Sequence, residues 1–322
     1  MVAIAYANHK GGVGKSNLAV HTAGLYALAG HRVLTIDLDP QGNLIEAFGL
    51  TSQPGFDDAG AGMAEALIAG RALTPLSAST PQVARPGLFT VPGGQELNRV
   101  FTRMLRTFTA PATADNDELA DETAYWLADS LAPIVDDFDV VIIDCPPGTE
   151  PLQVLGLTAA DFAVFPVGAD ISERKGVRLI SNVFSTVRER YNPQLRLAGV
   201  VPMRVKKVQQ RTELAKLRER LTSDFGGDAS IVFDSWIAEA ATAAWQARAR
   251  GLLVHELEDR RADAARERLV DLRAGRAPTR GIADSAEGLA ADYTNVAAEL
   301  LERMSLLASG ASLSDREAVA SR

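Results

Sequence analysis

The sequence predicts an α/β fold, a mainly parallel twisted sheet with helices on both faces. Three observations lead there. Short apolar runs rich in β-branched residues alternate with longer segments of helical spacing, the pattern of strands joined by crossover helices. Several of these runs are continuous, as in strands buried on both faces. The first run passes through a glycine-rich stretch straight into a helical segment, which suits a ligand loop at the end of a strand.

The expected strands are 2–7 (VAIAYA), 32–37 (RVLTID), 88–91 (LFTV), 139–144 (DVVIID), 162–167 (FAVFPV), 196–201 (RLAGVV) and 230–233 (SIVF). Helical spacing covers 16–29, 63–70, 95–108, 118–132, 173–191 and 208–223. Gly30 stands where a helix-ending glycine belongs. Near the C-terminus, Leu289, Tyr293, Val296, Leu300, Met304 and Leu307 form one apolar face, expected to dock on the sheet. Residues 1–308 are expected to form a single domain. Residues 109–117, small and polar, and 256–280, dense in charge of both signs, are expected as a linker and a charged insertion, and 309–322 as a disordered tail.

The chain has 322 residues, 47% hydrophobic and 23% charged, which is the composition of a soluble protein with a substantial core. A net charge of −8 argues against a surface that coats nucleic acid throughout, though not against a local basic patch. The single cysteine, Cys145, excludes a disulfide framework within the chain and suits the cytoplasm. The N-terminus lacks the pattern of a secretory signal, and no apolar run is long enough to span a membrane.

The glycine-rich stretch is NHKGGVGKSN, residues 8–17. Gly11, Gly12 and Gly14 allow the backbone to aim its N–H groups, Val13 included, at an anion, and the start of the helix adds positive potential. Lys15 is placed to reach β- and γ-phosphates, and the Ser16 hydroxyl to bind Mg²⁺. The usual phosphate-loop pattern has a glycine where this chain has His9. It also lacks a counterpart to Lys10, which sits at the start of the loop and would point across its mouth. A natural role is to reach a phosphate held by a second subunit, as an arginine finger does in trans.

KGGVGKS, followed by DLDPQGN at 37–43 and VVIIDCPPG at 140–148, resembles the deviant Walker-A ATPases of the ParA/MinD group, and ParA-type partition ATPases above all. LTAADFAVFPV (157–167) and GIADSAEGLAADYTNVAAELL (281–301) are similar to the segments of that family after the Walker B strand and at the C-terminal helix. The resemblance implies a P-loop NTPase fold, Mg²⁺-dependent ATP hydrolysis, and a homodimer formed with ATP in which Lys10 contacts nucleotide across the interface. Nucleotide contacts would come from Lys10, Gly11, Gly12, Val13, Gly14, Lys15, Ser16 and Asn17. Threonine is frequent in the family where Asn17 stands, and glutamine where His9 stands. Residues 202–206, where relatives hold adenine, offer no evident base-reading side chain.

Asp37 and Asp39 end one strand and Asp144 another, where an α/β sheet places its ligand site. An aspartate before proline, as at Asp39-Pro40, also reads as a simple turn former. By the resemblance, Asp144 is the Walker B aspartate acting through Mg²⁺-bound water, Asp37 its partner near Mg²⁺, and Asp39 the residue that positions the attacking water. Ser16, Asp37 and Asp144 are thus the expected metal site, and Lys10, Lys15 and Asp39 the catalytic residues.

Residues 204–220 carry Arg204, Lys206, Lys207, Arg211, Lys216, Arg218 and Arg220 against two glutamates. Such a strip is either a solvated helix face or, as in ParA-type relatives, the surface that binds DNA without sequence preference. Relatives add an arginine where this chain reads FDSWIAEA (233–240); Arg248, Arg250 or the arginines of 260–280 are candidates to compensate. The function expected is an ATP-driven dimer switch that partitions a plasmid, phage or chromosome with a ParB-like partner, in the cytoplasm and on the nucleoid. The alternative is positioning of a protein cargo. The C-terminus, ASLSDREAVASR, lacks the amphipathic basic helix of a membrane-targeted relative. One cysteine is too few for an iron–sulfur reductase of the nitrogenase iron-protein type. The chain begins at the loop strand without a helix-turn-helix extension, so repression of its own operon is not expected.

Overall fold

The computed structural model describes residues 1–316 apart from 52, 57, 110–113, 169–173, 207–209, 225–227, 275 and 277–280. Its strands are β1 (Val2–Tyr6), β2 (Val33–Asp37), β3 (Leu76–Ser77), β4 (Leu88–Val91), β5 (Val140–Asp144), β6 (Phe162–Gly168) and β7 (Arg196–Met203). They form one sheet in the order β3-β4-β2-β5-β1-β6-β7. All pairs are parallel except the short edge pair β3–β4.

The helices are α1 (Lys15–Leu28), α2 (Asn43–Phe48), α3 (Ala61–Ala69), α4 (Leu97–Thr109), α5 (Ala114–Leu131), α6 (Glu150–Thr158), α7 (Arg174–Arg190), α8 (Gln210–Asp224), α9 (Ala241–Arg250), α10 (Val254–Asp259), α11 (Arg261–Arg273) and α12 (Ser285–Ala308). Alternation along the strands sorts them into two layers. On β1, Ala3 and Ala5 face the layer of α3 to α8, while Ile4 and Tyr6 face that of α1, α2, α9, α10 and α12. Both layers bury apolar side chains, which explains the continuous apolar strands.

The predicted apolar face of α12 is buried at Leu289, Tyr293, Val296, Leu300 and Met304. Each fully buried aliphatic side chain there contributes about 1.5–3 kcal/mol. The same helix carries a buried ion pair, Arg303 Nε to Glu299 Oε1 at 2.8 Å. Arg303 also donates to the carbonyls of Ala198, Ser230 and Val232. Glu299 accepts the amides of Asp234 and Ser235.

This network corrects one expectation. Residues 230–233 do not extend the sheet. Ala229–Ile231 is a 3-10 turn, and Val232 makes a single bridge to Val200. Backbone groups that would build a ladder are instead taken by Arg303 and Glu299. A second correction concerns the C-terminus. Within 310–316, Leu313 is buried and Arg316 pairs with Asp234, Glu299 and Glu302, so this part of the expected disordered tail is folded; 317–322 lie outside the described residues. The charged segment 256–280 starts inside the core. Leu257 is buried, and Glu256 pairs with buried Arg85 at 2.7 Å. Of the linker 109–117, residues 110–113 lie outside the described residues, and α5 starts directly after them.

His21 on α1 is buried with its ring 4.0 Å from that of Tyr293. Burial, reinforced by His255 and Arg85, pushes its pKa down to about 3. The unfolded chain therefore binds a proton at His21 that the folded chain refuses between the ordinary value of 6.5 and about 3. Stability from this residue is present above pH 6.5 and is lost as pH falls through that window. His21→Phe keeps the ring contact and removes the proton. Urea unfolding of wild type and variant from pH 7 to 4 should show a slope shallower in the variant by up to about 1.4 kcal/mol per pH unit. Parallel pH profiles would contradict the account.

Candidate active site

The parallel register brings three strand ends together. Tyr6 of β1 and Asp37 of β2 both lie opposite Asp144 of β5. The chain leaves β1 into the glycine loop, where Gly12 and Gly14 have φ of 77° and 97°. A side chain is strained in that region. Gly14 caps α1, so the loop amides converge at a helix start.

Lys10, Gly11, Gly12, Val13, Gly14, Lys15, Ser16, Asn17, Asp39, Gln41, Asn43, Pro147 and Arg248 line one cleft of about 390 Å³. All of the predicted loop residues and Asp39 are thus brought together, while Asp37 and Asp144 lie fully buried beneath them. Lys15, 6% exposed, bonds Asp144 Oδ1. Burial alone would lower the lysine pKa, but the carboxylate beside it raises it above the ordinary value. The ammonium therefore stays charged. Burial drives Asp144 above the usual carboxylate range against the pull of Lys15. Among the described residues its Oδ2 has no partner in hydrogen-bond geometry, although the Ser16 hydroxyl is close enough to favour its charged form.

Asp37 organises the next loop. Its Oδ1 accepts the Asp39 amide and its Oδ2 the Leu44 amide, each at 3.0 Å. Burial and the neighbouring Asp144 push its pKa up to about 8. Asp39 accepts the Gln41 amide at 2.9 Å on Oδ1 and faces the Asn43 amide group at 3.5 Å with Oδ2. Behind both aspartates runs the loop after β4. A Cβ on Gly93 would lie 2.8 Å from the Asp39 carbonyl and closer still to that of Asp37. Only glycine fits there.

Lys10 sits at the cleft rim. Its amide donates to Asn8 Oδ1 at 3.1 Å, and Gly176 of α7 packs over its Cβ. Asn8 in turn donates to the Pro166 carbonyl. Gln153 of α6 donates to the carbonyls of Asn8 and Pro146 at 3.1 and 2.9 Å, tying the glycine loop to the turn after β5.

Gln153 lies in no sequence motif, and Asn8 opens the 8–17 stretch without a role that the motif assigns. Arg248 was considered only as a DNA contact; the structure puts it on the cleft wall, forked onto Glu46 of α2. Their signal was absent because each acts through distant segments. Met203, at the end of β7, packs over Gly14, with its Cε 3.1 Å from where a Cβ would stand.

The basic strip is divided. Arg204, at φ 57°, donates to the Gly12 carbonyl at 3.3 Å and pairs with Glu239 at 3.4 Å. Arg218 pairs with Asp234 at 2.6 Å. Lys216 is exposed and Arg220 half-buried, both on α8, as is Arg211. Lys206 follows β7, and Lys207 lies outside the described residues.

Among the described residues, no three acidic, histidine or cysteine side chains cluster into a self-sufficient metal cage. The donors present suit Mg²⁺, which prefers one or two carboxylates, waters and substrate phosphates. The orphaned Asp144 Oδ2 and the adjacent Ser16 hydroxyl fit such a site.

A family model described as an AAA domain matches residues 1–197. The chain is 32% identical over 224 residues to the chromosome-partitioning ATPase Soj of Thermus thermophilus, covering 69% of this chain and 76% of that one. It is 31% identical over 200 residues to the chromosome partitioning protein ParA of Caulobacter vibrioides, covering 62% and 67%. Among solved structures, cobyrinic acid a,c-diamide synthase from Mycobacterium smegmatis with an ATP analogue and magnesium superposes with a TM-score of 0.59 at 26% identity, over 87% of this chain and 99% of that one. McdA of Cyanothece in an ATP complex gives 0.62 at 20% identity, over 80% and 90%, and shares the fold.

Removing one partner of a buried ion pair leaves an uncompensated charge, which costs about 3–5 kcal/mol. Lys15→Met should therefore destabilise the nucleotide-free protein by about that amount in urea unfolding, and Lys15→Met with Asp144→Leu should recover most of it. Wild-type stability in the single variant would show that the pair carries no structural charge balance.

Proposed function

The chain belongs to the ParA-type ATPases of the ParA/MinD family, and from that premise we propose that it is an ATP-hydrolysing dimer switch for DNA partition. ATP closes a homodimer, the dimer binds DNA without sequence preference, and a ParB-like partner stimulates hydrolysis and release. The cargo is a plasmid, phage or chromosome, and the switch works on the nucleoid in the cytoplasm. The observation that carries this reading is the shared cleft, with Lys15 and Asp144 beneath the loop and Lys10 and Asp39 at its wall. Partition is favoured over positioning of a protein cargo because the chromosome-partitioning relatives Soj and ParA lie above 30% identity.

In this reading the Gly11–Ser16 amides cradle the phosphates and Lys15 turns from Asp144 to the β- and γ-phosphates. Mg²⁺ would be held by the Ser16 hydroxyl, with Asp144 and Asp37 acting through its waters, and would offset phosphate charge. Asp39 orients a water whose oxygen attacks the γ-phosphorus; the bond to the bridging oxygen breaks, giving ADP and phosphate. Lys10 from the partner subunit stabilises the charge that develops.

Two variants separate these roles. Asp39→Ala should bind ATP and hold the dimer, with turnover reduced at least about 100-fold. Lys10→Ala should bind ATP but fail to dimerise, losing hydrolysis and DNA binding together. Light scattering with ATP, alongside phosphate release, reads both. A Lys10→Ala protein that dimerises and turns over like wild type would remove the trans contact.

A further inference from the structure

The exposed face of α4 carries Asn98, Arg99, Thr102, Arg103 and Arg106, and its thirteen residues contain no aspartate or glutamate. On a chain of net charge −8, this is a local reversal of sign. Leu97, Val100 and Met104 fix the opposite face in the core, so the arginines share one outward side. With Ile68 they line a shallow hollow of about 650 Å³, with no carboxylate among the described residues of its wall.

Among the described residues, neither Arg103 nor Arg106 has a carboxylate partner, and Arg99 is within 3.5 Å of only Glu96, in a solvent-exposed pair that contributes little. The Arg103 guanidinium carbon sits over the Trp126 ring, 5.4 Å from its centroid. That contact restrains the guanidinium, whose planar fork suits bidentate contact with an anion. Arginine, threonine and asparagine are the side chains that bind nucleic-acid phosphates. From Arg99 to Arg106 the helix rises about 10 Å, close to three base steps of a duplex.

We propose that this face of α4 is a nucleic-acid backbone surface, separate from the 204–220 strip. The inference rests on the DNA-binding reading above and places part of it elsewhere. It also answers a shortfall, because Arg218 of the strip is bonded to Asp234 at 2.6 Å and to the Phe233 carbonyl. The helix is suspended from the active site. The Leu97 amide bonds the Gly94 carbonyl and the Glu96 amide that of Ala59, each at 3.0 Å. Gly93, next in the loop, abuts the Asp37 and Asp39 carbonyls.

The test is fluorescence anisotropy of a labelled mixed-sequence duplex with the full chain, Mg²⁺ and a non-hydrolysable ATP analogue, titrated over salt. The variant R99Q/R103Q/R106Q should bind at least tenfold more weakly, and the slope of log K against log salt should fall in magnitude by about 2.7. R106Q alone, at a residue with no carboxylate partner among the described residues, should lower it by about 0.9. R99K/R103K/R106K should keep the slope. Nucleotide affinity and dimerisation should be unchanged in all three. Wild-type affinity and slope in the glutamine variants would overturn the inference and leave the DNA reading standing. A wild-type chain that ignores the duplex would overturn both. Capture of poly-glutamate in place of DNA, lost in the triple glutamine variant, would reassign the face to an acidic protein partner.

Discussion

The buried pair of Lys15 and Asp144 is the constraint on which the rest of the structure depends. A lysine ammonium out of water is tolerated only beside a carboxylate, and a buried carboxylate only beside a cation. The pair can form because β5 lies directly beside β1, with Tyr6 opposite Asp144. The lysine at the start of α1 then folds back over the end of β5. Small residues make the geometry possible. Gly14 turns the loop with a positive φ, and alanines at 3 and 5 keep β1 slim on the side of α6.

From that centre the structure is braced outward by hydrogen bonds to backbone. Asp37 holds the start of α2, Gln153 ties the glycine loop to the turn after β5, and Asn8 ties it to β6. On the far edge, Arg303 and Glu299 capture the segment after α8, and Glu299 receives Arg316 from the C-terminal stretch. The Arg303, Glu299 and Arg316 contacts are charge-assisted and stronger than the neutral amide bonds of Gln153 and Asn8, while the bonds of Asp37, Gln153 and Asn8 are the ones around the cleft. They make the cleft a preformed cradle, which is what electrostatic catalysis of phosphoryl transfer requires.

How much of this the sequence disclosed follows from which interactions are local. Six of the seven expected strands stand, because a strand buried on both faces must be apolar throughout. The glycine loop and the strand-end aspartates were legible for a similar reason: phosphate chemistry demands those residue types at fixed spacing. Residues 230–233 misled because SIVF is apolar enough for a strand, while its hydrogen-bonding partners sit about seventy residues later on α12. α9 gave no periodic signal because it buries Ala243, Gln246 and Ala247 in place of large apolar side chains. Arg248 on the cleft wall depends on Glu46, about two hundred residues earlier. The folded stretch around Leu313 depends on carboxylates of α12 and on Asp234, which a polar tail composition does not announce.

The account makes Lys15 a charge stored on Asp144 until a phosphate claims it, and Asp144 a carboxylate released at that moment toward Mg²⁺. The most direct measurement is a crystal structure of the chain with Mg²⁺ and a non-hydrolysable ATP analogue. The account predicts the Lys15 ammonium on the β- and γ-phosphates, parted from Asp144, with Lys10 of each protomer at the phosphates held by the other. A structure in which nucleotide is bound while Lys15 remains bonded to Asp144 would contradict it.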